Sequence, residues 1–146
     1  MVNSQKNSII EEIVFSADEF ELKGYLHLPP LKNPPFIIGC HGLFSDKNSP
    51  KQIELARHCN QRNMAYFRFD HRGCGESKAP FGAVTSLDAR RTDLKSAVNM
   101  LRGRDDLGDQ MGFFGSSMGG CVCLAAARGA TGIQIPPLPE CGAPDH

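Results

Sequence analysis

The segment Gly115-Ser116-Ser117-Met118-Gly119 constrains the fold of this chain more than any other. It sits between a short apolar run, Met111 to Phe114, and a run of small, helix-forming residues, Met118 to Arg128. A Gly-x-Ser-x-Gly pentapeptide in that setting reads as a turn from a buried strand straight into a helix, a nucleophile elbow. The turn strains its central serine, and glycines two positions to either side are needed where a side chain would strike the neighbouring strand or helix. An ordinary glycine-rich turn would also satisfy the pentapeptide, but the strand before it and the helix after it argue for the elbow. Ser117 is expected to project from the rim of a sheet as a nucleophile. The helix beginning at Met118 would aim its first amides at the place where an attacked carbonyl becomes an oxyanion.

Upstream, the pattern is that of a layered α/β chain. Ile9 to Phe15 is rich in β-formers, a turn follows near Ala17 and Asp18, and Phe20, Leu22, Gly24, Leu26 and Leu28 alternate with more polar neighbours, which predicts an antiparallel hairpin. Pro29, Pro30, Pro34 and Pro35 end the pairing. Phe36 to Cys40 is a continuous apolar run, as expected of a strand covered on both faces. Pro50 to Asn63 predicts a helix with Ile53, Ala56, Cys59 and Asn60 on one face. Met64 to Phe69 predicts another strand. Ser86 or Thr85 would cap a helix striped by Leu94, Ala97, Val98 and Leu101 and closed by Gly103, with Thr85 and Asp88 at capping-box spacing. A hairpin followed by three strand-helix units predicts a mostly parallel sheet with helices on both faces.

Two loops on this frame carry polar chemistry. His41-Gly42-Leu43-Phe44 directly follows the Phe36 to Cys40 strand, where a backbone N–H can supply a second oxyanion donor, and Leu43 is the candidate. His41 is better read as shaping this loop through backbone hydrogen bonds than as a general base. The segment Asp70-His71-Arg72-Gly73-Cys74-Gly75-Glu76-Ser77 lacks the third glycine of a dinucleotide fingerprint, since Lys78 stands in its place. It reads as a tight turn organised by an acid and an arginine.

Together the strand-His-Gly loop at 36–44, the Asp-x-Arg-Gly-x-Gly-x-Ser turn at 70–77 and the elbow at 115–119 resemble the α/β-hydrolase superfamily. The likeness is to its esterase and serine-aminopeptidase-like branch, which includes feruloyl and cinnamoyl esterases, and it covers roughly residues 9–130. The resemblance implies Ser117 as nucleophile, the amides of Leu43 and Met118 as oxyanion hole, and hydrolysis of an ester, amide or thioester through an acyl-enzyme. In that family an acid and then a histidine follow the serine. Only residues 118–146 follow here, and their one histidine is His146, beside Asp145 at the chain's end. Two strand crossovers need far more chain than that. The expectation is a hydrolase truncated after the elbow helix and nearly inactive alone; the alternative is a non-catalytic remnant or binding module.

Composition narrows the partners. With 16 Lys and Arg against 16 Asp and Glu, bulk charge attracts neither nucleic acid nor an anionic membrane. The apolar run Cys121 to Ala127 is too short to span a bilayer, and Met1 to Glu12 has no secretory pattern, so a cytoplasmic protein acting on a small-molecule ester is expected. The six cysteines read as small buried thiols, not as a disulfide or metal framework, and no cofactor or metal is expected. Residues 1–135 are expected to form the partial domain, with a stub of strand at Ile133 to Ile135. Residues 136–146 form an irregular proline-rich tail. Without a further strand beyond it, the elbow strand would be an exposed edge prone to self-association.

Overall fold

The computed structural model describes residues 8–128, in which five strands and four helices alternate after an opening hairpin. β1 (Ile9–Ala17) and β2 (Phe20–Leu28) pair antiparallel across the turn at Asp18 and Glu19. β3 (Phe36–Cys40), α1 (Pro50–Gln61), β4 (Ala65–Phe69), the short α2 (Phe81–Val84), α3 (Leu87–Arg102), β5 (Met111–Gly115) and α4 (Met118–Ala127) follow. The sheet order is β1-β2-β4-β3-β5. β3 runs parallel to both β4 and β5, whereas β2 meets β4 antiparallel. The expected α/β sheet with its N-terminal hairpin is therefore present. The strand stub at Ile133 to Ile135 and the tail at 136–146 lie outside the described residues.

The period of two along each strand divides the interior into two layers. Ile37 and Tyr66, opposite one another in register, pack with Ala56 and Cys59 of α1. Phe36, Ile38, Ala65, Phe67 and Phe69 face the other way, onto Leu94, Ala97 and Leu101 of α3 and Val122, Cys123 and Ala126 of α4. Phe15 of the hairpin closes this larger core edge-on to Phe67 and Phe69, at ring-centroid separations of 5.8 and 5.6 Å. Helices thus cover both faces, and all five residues of the central strand β4 are buried.

Several local expectations are corrected. Ile53 does not face the sheet: it is 42% exposed, and Gln52 takes the inward position with Ala56 and Cys59. A glutamine is tolerated there because its Oε1 accepts a 2.6 Å hydrogen bond from the buried Tyr66 hydroxyl. β5 is half-buried throughout, not fully buried, because among the described strands it pairs only with β3. Ser86 caps α3, its Oγ accepting from the Ala89 amide at 3.0 Å, while the Thr85 hydroxyl is buried without a partner. The Thr85–Asp88 capping box is not used. Four of the five described cysteines are buried, but Cys121 is exposed. None of the described helices is long and apolar enough to cross a membrane.

The two candidate caps make opposite predictions. Ser86→Ala should cost about 1 kcal/mol of unfolding free energy in urea denaturation, the usual worth of an N-cap. Thr85→Val, which removes an unpartnered hydroxyl at nearly constant shape, should be neutral or slightly stabilising. Equal losses for both would contradict the assignment of the cap.

Candidate active site

The parallel pairing of β3 with β5 sets Cys40 opposite Gly115, so the loops leaving both strands emerge side by side at one end of the sheet. Between them the backbone is tightly packed. A side chain at Gly115 would collide with the backbone of Gly119 and Gly120, and one at Gly119 would strike the carbonyl oxygen of Cys40. Both glycines of the pentapeptide are therefore fixed by close approach. The chain passes from β5 into α4 through Ser117, whose backbone adopts φ 54°, ψ −125°. A positive φ at a residue with a side chain costs of order 1–3 kcal/mol and persists only where its surroundings enforce it.

Ser117 is exposed, stands at the N-cap of α4 and makes no capping hydrogen bond with its side chain. Its hydroxyl is thus not spent on the helix. The amides of Gly119 and Gly120 turn back to the carbonyls of Ser116 and Ser117, each at 3.0 Å. Among the described residues, no acceptor takes the Met118 N–H or the Leu43 N–H. Leu43 is half-buried, and the next residue, Phe44, is 87% exposed with its ring 5.5 Å from that of Phe81.

His41, one residue after β3, is 2% exposed and uses both ring nitrogens. Nδ1 donates to the Gly42 carbonyl at 2.7 Å and Nε2 accepts the His71 amide at 3.0 Å. That pair of bonds requires the neutral ring protonated on Nδ1. Burial, reinforced by His71, lowers its pKa to about 4. The ring organises the loop, and no proton-accepting position is left on it.

Two carboxylates hold the loop that follows β4. Asp70, fully buried, accepts the Lys47 amide at 2.8 Å, the Lys47 ammonium at 2.6 Å and the Glu76 amide at 3.0 Å. Gly75, at φ 53°, lies against this carboxylate so closely that a Cβ would overlap it. The Gly-x-Gly turn therefore wraps an internal anion, which accounts for its likeness to a phosphate cradle. Asp93 of α3 accepts the Arg72 amide at 3.0 Å and its Nε at 2.8 Å, and His71 Nδ1 lies 3.3 Å away. Although burial opposes it, the hydrogen bonds from His71 and Arg72 hold the Asp93 pKa below the usual carboxylate value. Arg72 continues to Asp18 of the hairpin turn at 2.9 Å and stacks over Phe20.

Sequence reasoning did not single out Arg90, Asp93 or Lys47. Arg90 of α3 is fully buried, and its two terminal nitrogens donate to the carbonyls of Gly42 at 3.2 Å and Leu43 at 3.0 Å. The signal was present in the spacing. Arg90 lies on the same helical stripe as Leu94, Ala97 and Leu101, and Asp93 beside it, so both charges fall on the face turned to the core. Lys47 stands in a loop with no periodicity and left no such trace. Ser117, Leu43 and Met118 are brought to one end of the sheet. Asp145 and His146 lie outside the described residues.

Comparison with known proteins places the chain. The family Hydrolase_4, described as serine aminopeptidase, S33, matches residues 33–134. The uncharacterized protein YfhR of Escherichia coli O157:H7 is 34% identical over 122 residues, covering 79% of this chain and 40% of that protein. Its counterpart in Escherichia coli K12 is 33% identical over 121 residues, 78% of this chain and 40% of that one. The chain thus spans 40% of the length of the curated relatives it matches. Among solved structures, Est1E from Butyrivibrio proteoclasticus with bound ferulic acid superposes with TM-score 0.74 at 24% identity, over 79% of this chain and 46% of that one. A dienelactone hydrolase from Anabaena variabilis gives 0.71 at 23%, over 82% and 57%. At these identities the likeness is one of fold.

The buried rings give a pH dependence with a definite sign. His27 and His41 both have pKa values lowered to about 4 from 6.5, and that of His71 is lowered too, in each case first of all by burial. The unfolded chain therefore binds protons that the folded one does not, and stability falls with falling pH. Urea midpoints should be flat above pH 6.5 and decline steadily between about 6.5 and 4. A flat profile across that window would contradict the neutral, hydrogen-bonded assignment of these rings.

Proposed function

The chain belongs to the serine aminopeptidase S33 family and has the α/β-hydrolase fold, and on that premise we propose that it is a serine hydrolase of carboxylic esters, acting through an acyl-enzyme on Ser117. The observation that carries the reading is Ser117 itself: exposed, at φ 54°, its hydroxyl unspent on the helix, at the mouth of two loops whose Leu43 and Met118 amides have no acceptor among the described residues. A positive φ at a serine whose side chain makes no capping hydrogen bond supports that reading.

In this reading the Ser117 oxygen attacks the ester carbonyl carbon and its proton passes to an imidazole base. The carbonyl oxygen becomes an oxyanion received by the N–H groups of Leu43 and Met118, with the positive end of α4 behind the latter. Collapse of the intermediate breaks the carbon–oxygen bond, and the alcohol leaves with the proton. Water then repeats the sequence on the acyl-enzyme, releasing the acid and restoring Ser117. Amides and thioesters fit the same scheme. The base is not His41, whose nitrogens are both engaged, nor His71, which is fully buried. In the family order the acid and the histidine come after the serine, so they are assigned beyond residue 128.

That assignment leaves a second reading, a non-catalytic binding module, favoured by the lack of a free imidazole near Ser117 among the described residues. An aryl or alkyl fluorophosphonate separates the two. With added imidazole standing in for the base, the 146-residue chain should gain one phosphonyl group at Ser117, mapped by peptide mass, and Ser117→Ala none. Turnover of p-nitrophenyl acetate by this chain alone should fall short of a complete serine hydrolase by up to about a millionfold, the scale of losing the histidine. Absence of labelling at high probe and imidazole concentrations would overturn the nucleophile assignment in favour of the binding module.

A further inference from the structure

Arg90 is the largest of the fully buried side chains, and it has no anionic partner among the described residues. Its Nη1 donates to Gly42 O at 3.2 Å; its Nη2 donates to Leu43 O at 3.0 Å and lies 3.3 Å from Cys74 Sγ; its Nε is buried and unpartnered. A guanidinium stays charged under any ordinary condition, and burying one without a carboxylate is costly. Stability alone gives no reason to keep it, since an apolar side chain of similar volume would fill the space without that cost. The reason is in what the two nitrogens grasp.

Gly42 O and Leu43 N belong to the same peptide group. A trans peptide points its C=O and its N–H in opposite directions. Anchoring the oxygen inward, on Arg90 and on His41 Nδ1, therefore fixes the Leu43 N–H outward, toward the elbow. Gly42 lies beside the elbow, since a Cβ there would stand 3.9 Å from the Ser116 carbonyl oxygen, in ordinary contact. Gly42 has no side chain to resist a peptide flip, so the orientation depends on the donors to its oxygen: the Arg90 and His41 side chains and the Ser45 amide of the loop itself at 3.2 Å. Hydrogen bonds to the carbonyl also polarise the peptide and make its N–H a better donor. The second grip, on Leu43 O, fixes the following peptide and stops the loop rotating as a unit.

We propose that Arg90 is the positioning residue of the oxyanion loop, a buried cation on α3 that locks the Gly42–Leu43 peptide with its N–H facing Ser117. The inference rests on the serine-hydrolase reading for its consequence in catalysis, but not for the orientation of the peptide. Arg90 acts through Leu43 and touches no substrate. Its charge also helps keep the adjoining His41 ring neutral, after the larger effects of burial and His71, and so preserves Nε2 as acceptor of the His71 amide, the bond that holds the ring in place.

Two measurements test this on the 146-residue chain, well below its melting temperature. The first reads the ligand-free protein by 15N–1H spectroscopy and needs no reactivity. In Arg90→Met the Leu43 amide should shift and broaden as the peptide samples both orientations, with the effect concentrated in residues 41–44. Cys74→Ala, which removes the third contact of Arg90 and leaves the loop grip, should leave that signal sharp. A sharp, unmoved Leu43 amide in Arg90→Met, or broadening spread evenly over α3 and β3, would overturn the proposal. The second follows fluorophosphonate labelling of Ser117 with imidazole added to stand in for the base. Arg90→Met should lower the maximal labelling rate roughly ten- to a hundredfold with the half-saturating probe concentration unchanged, part of the effect of deleting an oxyanion donor outright. Arg90→Lys, keeping charge but only one donor position, should recover part of it, whereas loss of folded protein would lower only the labelled amount. Wild-type rates in Arg90→Met would refute the positioning role. An unlabelled wild type with the Leu43 signal behaving as expected would refute the hydrolase reading and leave the peptide lock standing.

Discussion

The structure turns on how closely α4 approaches the end of β3. The backbone of Gly119 rests on the carbonyl of Cys40, and Gly115 rests on Gly119 in turn, with no room for a methyl group at either contact. The chain leaving β5 must therefore bend within two residues, and the bend falls on Ser117 at a positive φ. What makes the serine prominent is thus a packing constraint. The same contact sets the His41 loop against the elbow, because that loop begins where β3 ends.

Beneath this bend lies a polar layer rare in so small a core. Asp70, His71, Arg72, Arg90, Asp93, His41 and Lys47 are all buried, and nearly all their polar atoms are paired. The layer ties elements distant in sequence: Asp93 joins α3 to the turn after β4, Asp70 joins that turn to the loop after β3, and Arg72 reaches the hairpin at Asp18. Each pairing costs desolvation and returns geometry. A network of this kind holds loops at the end of a sheet in one arrangement, which apolar packing, being non-directional, does less well.

Most of the fold was legible because it follows from periodicity and from glycines and prolines. The hairpin, the three parallel strands and the three long helices all carry their signal locally, in Leu22, Leu26, Phe36 to Cys40 and Leu94 to Leu101. The misreadings occurred where a polar side chain is satisfied by a distant partner. Gln52 displaces Ile53 because the Tyr66 hydroxyl of β4 meets it under α1, and Arg90 occupies a core stripe because two carbonyls of another loop receive it. The placing of Ser117, Leu43 and Met118 at one end of the sheet was legible from motif and order. The polar residues that orient their loops were not, since a pairing separated by 47 positions, as between Leu43 and Arg90, leaves no local pattern.

The central claim is that a hydroxyl and two unspent amides face one point in space. Titration of 15N-labelled protein with phenylboronic acid tests it most directly, because a tetrahedral boronate on Ser117 would place an oxygen at that point without requiring turnover. The account expects the Leu43 and Met118 amide protons to move downfield together as a tetrahedral 11B signal grows. A tetrahedral adduct that leaves both amides unmoved would contradict it, as would boronate that stays trigonal at saturating concentration.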